Sequence, residues 1–160
     1  LYSNLDKSEK MSIPENPQHD RRAWMGLLAR TAPARLAALL PAPLPGHTDL
    51  RAPEIGAVMV RGRVSATGAP FNLGEMTVTR CALRLSCGTV GHGYVQGRDR
   101  DHARRAALVD ALLQTPRADE MRDRVLTPLA AEETAARNAR AARVAATKVE
   151  FFTMVRGEDK

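Results

Sequence analysis

The chain has 160 residues, 44% of them hydrophobic and 26% charged, a composition that suits one globular domain with its own core and excludes a disordered chain. Its formal net charge is +6, and residues 21–160 hold 22 Lys and Arg against 14 Asp and Glu, so anions and acidic partners are the natural ligands. The longest apolar runs, such as Leu36–Leu40, are far too short to span a bilayer, and no signal-peptide pattern opens the chain, so a cytoplasmic location is expected.

The first ten residues are polar and aperiodic and precede Met11; they read as a tag or tail, with a single domain over 11–160. Residues 11–18 are rich in Pro and Asn and are expected to be extended. Asp20 is placed to cap a helix over Arg21–Arg30, where Trp24, Leu27 and Leu28 form an i, i+3, i+4 buried stripe. A second short helix follows over Ala34–Leu40, with Pro33 in its first turn. The Pro-rich segment Pro41–Gly46 then forms a stiff connector.

Ile55–Gly62 reads as a strand, Val64–Leu73 as a Gly/Pro loop and Glu75–Ser86 as a long second strand. Cys87–Gly88 has the pattern of a two-residue turn leading into a third strand over Thr89–Gln96. That turn pairs Leu85 with Val90, Leu83 with His92 and Cys81 with Tyr94 on a core face. The opposite face then holds Arg80 and Arg84 beside the bare positions Gly91 and Gly93, which would let another backbone approach closely. Met76 and Val78 share the parity of the arginines, so either the strand bulges before Cys81 or both faces are covered there. Cys81 and Cys87, six residues apart on an extended segment, are too distant for a disulfide and read as reduced thiols.

Asp99 or Asp101 opens a helix to about Gln114 with Ala103, Ala107, Val109 and Leu112 inward. Pro116 breaks it. A shorter helix spans Ala118–Leu126, and Thr127–Pro128 starts a long alanine-rich helix to about Lys148. Its stripe Ala135, Ala139, Ala142 and Ala146 permits close packing against a helix or sheet. The tail Val149–Gly157 is strand-like and repeats the tetrad Met-Val-Arg-Gly of Met59–Gly62, which allows two paired edge strands. The elements describe an α+β fold: an antiparallel sheet of three to four strands packed with N-terminal and C-terminal helices.

No catalytic motif survives inspection. Gly62–Gly68 lacks the Gly-Lys-Ser/Thr ending of a phosphate loop, and Gly91–Gly97 lies in a hairpin rather than a βαβ unit. His19, His47, His92 and His102 show no metal-ligand spacing, and no metal is expected. Few aromatics and no zinc-finger or RNA-recognition pattern make nucleic acid the weaker choice among the anions, with a stand-alone polyphosphate- or RNA-binding protein as an alternative reading. Glu75, ending the Gly-rich segment, is a candidate for holding a hydroxyl or a partner's arginine, or simply the local backbone amides; Asn72 has the same two readings. His92 is a candidate base, although the hairpin register places it in the core. Arg98, before a helix start, would guide an anion or join a surface ion pair. The candidate substrate or partner contacts are therefore Asn72, Glu75, Arg80, Arg84, Gly91, Gly93 and Arg98, with Glu75 and His92 the candidate catalytic groups.

Five blocks in order resemble the PhnG family, a subunit of the bacterial carbon–phosphorus lyase machinery: Arg22–Ala29 (RAWMGLLA), Pro53–Arg63 (PEIGAVMVRGR), Gly68–Cys81 (GAPFNLGEMTVTRC), Gly91–Asp99 (GHGYVQGRD) and Val149–Gly157 (VEFFTMVRG). The resemblance implies a protein acting with PhnH, PhnI and PhnL to displace adenine of ATP by methylphosphonate, giving α-D-ribose 1-methylphosphonate 5-triphosphate. It also implies assembly with PhnH, PhnI and PhnJ. Nucleoside cleavage is attributed to PhnI and radical iron–sulfur chemistry to PhnJ, so this chain is expected to bind no cofactor of its own and to meet ATP only as the complex's substrate. The family carries no firmly assigned catalytic residue onto this chain. An orphaned subunit would expose its partner surface and could form a homodimer.

Overall fold

The structure is a computed structural model and describes residues 17–65 and 67–147. The order is α1 (Pro17–Arg30), α2 (Pro33–Leu39), β1 (His47–Arg63), β2 (Pro70–Leu85), β3 (Val90–Gln96), α3 (Arg100–Leu112), α4 (Ala118–Met121), a π-helical turn (Arg122–Leu126) and α5 (Thr127–Ala146). The three strands form one antiparallel sheet in the order β1-β2-β3, which with the helices makes the expected α+β fold. The tag reading of 1–10, and the tail strand with its repeated tetrad, lie outside the described residues. The extended reading of 11–18 is corrected at its end, where Pro17 and Gln18 begin α1; Asp20 stands in its first turn rather than before it.

Helix α3 is the centre of the molecule. Asp99 caps it by accepting the His102 backbone N–H at 2.9 Å. Ala103, Ala106, Ala107, Val109, Ala111 and Leu112 are all buried, and small alanines let the helix lie close to the sheet. Its partners are Cys81, Leu83, Leu85 and Val95 from the strands and Leu28, Leu36 and Leu40 from the N-terminal segment, with Trp24 and Leu27 packed at the edge. Met121, Val125 and Leu129 close the core from the C-terminal side.

The β2–β3 register differs from the sequence expectation by one residue. Leu83 pairs with Gly91, Cys81 with Gly93, Ala82 with His92 and Arg80 with Tyr94. The turn holds three residues, Ser86, Cys87 and Gly88: the Leu85 N–H donates to the Thr89 carbonyl at 2.9 Å, and the Gly88 N–H to the Leu85 carbonyl at 2.9 Å. Gly88 has φ +91°, the left-handed conformation that a three-residue hairpin loop demands of its last position. A one-residue slip moves every side chain to the other face. Gly91 and Gly93 therefore lie on the core face, and His92 and Tyr94 are exposed. A close backbone does approach the two glycines, but it belongs to α3. A Cβ on Gly91 would stand 2.0 Å from the Ala107 carbonyl oxygen, and one on Gly93 2.0 Å from that of Ala103.

The strands are also longer than expected. β1 begins at His47, and β2 begins at Pro70, so the Gly/Pro loop shrinks to a short turn after Arg63. Register shifts between Asp49 and Glu54 accommodate Pro53, which lacks a ladder N–H, on this edge strand. Beyond the end of β3 the two strands run on as a ribbon to Arg63 and Pro70. Pairing with β3 is regular from Val78 to Arg84, so no bulge flips β2; Val78 is buried on the face opposite Cys81. Thr127 does not cap α5, because Leu126 before it is already helical and the π-helical turn leads straight in. From Thr134 to Thr147 every residue is exposed, so the alanine stripe packs against nothing among the described residues.

Candidate functional site

The sheet face opposite α3 buries Val78 but is open from Arg80 to Arg84. By register it presents Arg84, Ala82 and Arg80 from β2, His92 and Tyr94 from β3, and Arg51 and Glu54 from β1. Alternate residues of a strand are roughly 7 Å apart, which sets the spacing of Arg80 and Arg84 either side of Ala82. Glu54 Oε1 accepts from Arg80 Nε and, at 3.3 Å, from Arg51 Nη1, while Arg84 has no carboxylate partner among the described residues. One carboxylate thus serves two of three arginines, and the face keeps an excess of positive charge beside the exposed ring of Tyr94. Such a surface fits an anionic or acidic counterpart.

The structure brings Arg80, Arg84 and His92 together here, and separates them from the others. Asn72 and Glu75 stand on the ribbon, opposite Arg61 and Met59, with Leu73 as the extra residue between them. Their register puts both on the reverse face from Arg80. Both are exposed, as is His92, so neither candidate base sits in an enclosed pocket, and the two are on opposite sides of the sheet. Arg98 is exposed before α3, where Asp99 already accepts the His102 amide. Gly91 and Gly93 are covered by α3 and leave the candidate surface.

A cleft of about 360 Å³ lies between α1–α2 and α5, lined by Arg30, Arg35, Arg137 and Arg140 with Glu132 and Glu133. Arg30 donates to Glu133 at 2.8 Å and Arg35 bridges Glu132 at 2.6 Å, so much of its charge is already matched. The Arg30 guanidinium holds the Glu133 carboxyl below its ordinary range. These pairs tie α5 to the N-terminal helices.

Sequence reasoning missed the most heavily bonded polar group. Asp110 is fully buried on α3. Its Oδ1 accepts from Arg21 Nε at 3.1 Å and Trp24 Nε1 at 2.9 Å; its Oδ2 accepts from Arg21 Nη2 at 2.7 Å and the His92 backbone N–H at 2.8 Å. One carboxylate joins α1, β3 and α3. An acid amid the inward positions Ala107, Val109 and Ala111 was the available signal. His102 is the second buried polar group of α3: its Nε2–H donates to the Leu28 carbonyl at 3.0 Å, and burial pushes its pKa below the ordinary 6.5. Cys81 is buried and Cys87 exposed, both free; burial raises the Cys81 thiol's pKa. Among the described residues no group of three or more His, Cys, Asp or Glu is arranged to hold a metal ion, and no helix is long and apolar enough to cross a membrane.

Fold and surface together define a small basic α+β protein with one covered and one open sheet face, its polar candidates spread over open surface rather than gathered in a cleft. The chain belongs to the PhnG family: the model of phosphonate metabolism protein PhnG matches residues 19–157. It is 45% identical over 141 residues to alpha-D-ribose 1-methylphosphonate 5-triphosphate synthase subunit PhnG of Rhizobium meliloti (strain 1021), covering 87% of this chain and 90% of that protein.

Proposed function

We propose that this chain is an accessory subunit of the carbon–phosphorus lyase system, acting in the cytoplasm with PhnH-, PhnI- and PhnL-like proteins. The assembled enzyme forms α-D-ribose 1-methylphosphonate 5-triphosphate from ATP and methylphosphonate and releases adenine. The observation that carries this reading is the 45% identity, over nearly the whole of both chains, to a protein named as a subunit of that synthase. The chain's own contribution is to support a PhnI-like subunit and, with PhnH- and PhnJ-like subunits, the larger core. ATP and methylphosphonate bind at the level of the complex, and this chain holds no cofactor.

The dispersal of the candidate groups supports an accessory role. Displacing adenine from a ribose needs a group that protonates or stabilises the leaving base and another that positions the phosphonate, within bonding reach of one substrate. Glu75 and His92 lie on opposite faces of the sheet, which favours chemistry supplied by another subunit over a shared acid–base pair in this chain. The positive face of Arg51, Arg80 and Arg84 is suited to an acidic subunit or to the rim of a polyphosphate site.

The test is reconstitution. The isolated chain with ATP and methylphosphonate releases no adenine; the assembled subunits do. Glu75→Gln and His92→Gln in the assembled complex keep adenine release within about threefold of wild type. A loss of several orders of magnitude in either, with assembly intact, would make this subunit catalytic instead.

A further inference from the structure

The ribbon beyond β3 is the part of the chain least able to stand alone. β3 ends where the Gly97 N–H donates to the Thr77 carbonyl at 2.9 Å, and Gly97, at φ +91°, turns the chain away. From there to Pro70, β2 has β1 on one side and, among the described residues, nothing on the other. Backbone groups of successive residues alternate between the two edges of a strand. Thr77 directs its carbonyl to the β3 side, so Glu75 directs its N–H and C=O to the same, open edge. The ribbon also carries apolar side chains that belong to no core: Leu73 is 66% exposed, Met59 51% and Phe71 42%. Phe71 and Leu73 meet over Gly62, where a Cβ would lie 3.6 Å from the Phe71 ring. A two-stranded ribbon is marginal in water on its own, and an apolar edge strand left open invites pairing.

We propose that this edge is an assembly site: an extended strand of a different, acidic subunit adds to β2 in line with β3, its backbone bonding Glu75 and its apolar side chains covering Phe71 and Leu73. This rests on the subunit role proposed above. Strand addition supplies main-chain bonds along the edge and leaves specificity to alternate side chains. Charge selects the occupant. Arg61 and Arg63 stand exposed near the ribbon's tip, and the whole chain is +6, so a second copy would meet like charge whereas an acidic subunit would meet opposite charge.

Proline at position 75 separates edge pairing from folding. It deletes an N–H that β1 does not use, at an edge position that tolerates proline. Glu75→Pro and Leu73→Glu, with Glu75→Ala and Val144→Glu on exposed α5 as controls, are co-expressed with the other subunits and assembly is followed by size-exclusion chromatography with light scattering. Glu75→Pro and Leu73→Glu lower the apparent affinity about tenfold or more, the controls assemble as wild type, and all four isolated chains unfold cooperatively. Wild-type assembly by both edge variants overturns the proposal. So does an effect confined to a dimer of the isolated chain, which would make the occupant a second copy. If the wild-type chain itself joins no other subunit, the functional reading fails instead, and the edge assignment with it.

Discussion

β1 and β2 pass through two regimes along their length. At the Leu83 end, α3 covers one face, β3 fills the edge and a buried carboxylate joins three elements. At the Phe71 end the same two strands carry exposed apolar side chains and a bare edge. The first half has one face and both edges of β2 covered within the chain. The second has the ladder and only a half-buried row of Val58, Val60 and Met76. What differs is not strand propensity, since Val and Thr populate both halves, but whether the chain supplies a covering layer. A segment that is strand-forming, apolar and uncovered is built to be covered by something else.

Perturbing the covered half has the largest expected effects. Gly93→Val, and equally Gly91→Val, drives a side chain into the α3 backbone, where no side-chain rotation gives relief; a loss of about 3 kcal/mol or more follows. Soluble yield and the urea midpoint report it, and a well-folded valine variant would show that α3 does not seal this face. Asp110→Ala strands Arg21, the Trp24 indole N–H and the His92 amide together, at a cost of about 3–5 kcal/mol. Trp24, the chain's single tryptophan, supplies the fluorescence that follows its unfolding. A cost below about 1 kcal/mol would mean that the three elements are held by apolar contact alone.

A smaller effect is set by pH. His102 is held neutral in the core with its pKa lowered by burial, so between pH 6.5 and its folded value the unfolded chain binds the extra proton. Stability falls as pH drops below 6.5, by at most about 1.4 kcal/mol per pH unit from this group. Urea midpoints at pH 7.5 and 5.5 should differ more in wild type than in His102→Gln; equal slopes would remove the histidine from the account. The smallest effect belongs to the ribbon. Leu73→Glu in the isolated chain changes stability by less than about 0.5 kcal/mol, as a substitution at an uncovered position should. A large loss there would mean that the ribbon is packed after all, and the contrast between the halves would collapse.

What was legible in the sequence was local. The α1 stripe, a helix start at Asp99 or Asp101 and the inward face of α3 each follow from residues within a turn or two of one another; the stripe and face are present, and the cap is Asp99. The hairpin register turned on whether Gly88 occupied a two-residue or a three-residue loop. Both patterns place glycine before the returning strand, and the difference of one residue reversed the faces of Gly91, His92, Gly93 and Tyr94. Pro70 and Gly74 resembled loop punctuation because a strand with an unused edge tolerates both. The partners of Asp110 were out of reach for another reason: Arg21 and Trp24 lie 86 or more positions away, and no local pattern encodes that encounter. The arginines of the open face were identifiable as residue types, but their grouping with Glu54 required the β1–β2 pairing. The family resemblance, by contrast, was readable from blocks alone, because it needs no register.

Amide hydrogen exchange of the chain, alone and within the assembled complex, tests the contrast most directly. In the isolated chain, amides of α3 and of β2 from Thr79 to Leu85 exchange slowly, while the Glu75 amide exchanges fast. In the complex, Glu75 gains protection of about a hundredfold or more, and the covered half changes little. A Glu75 amide already protected in the isolated chain, or still fast in the complex, would contradict the account.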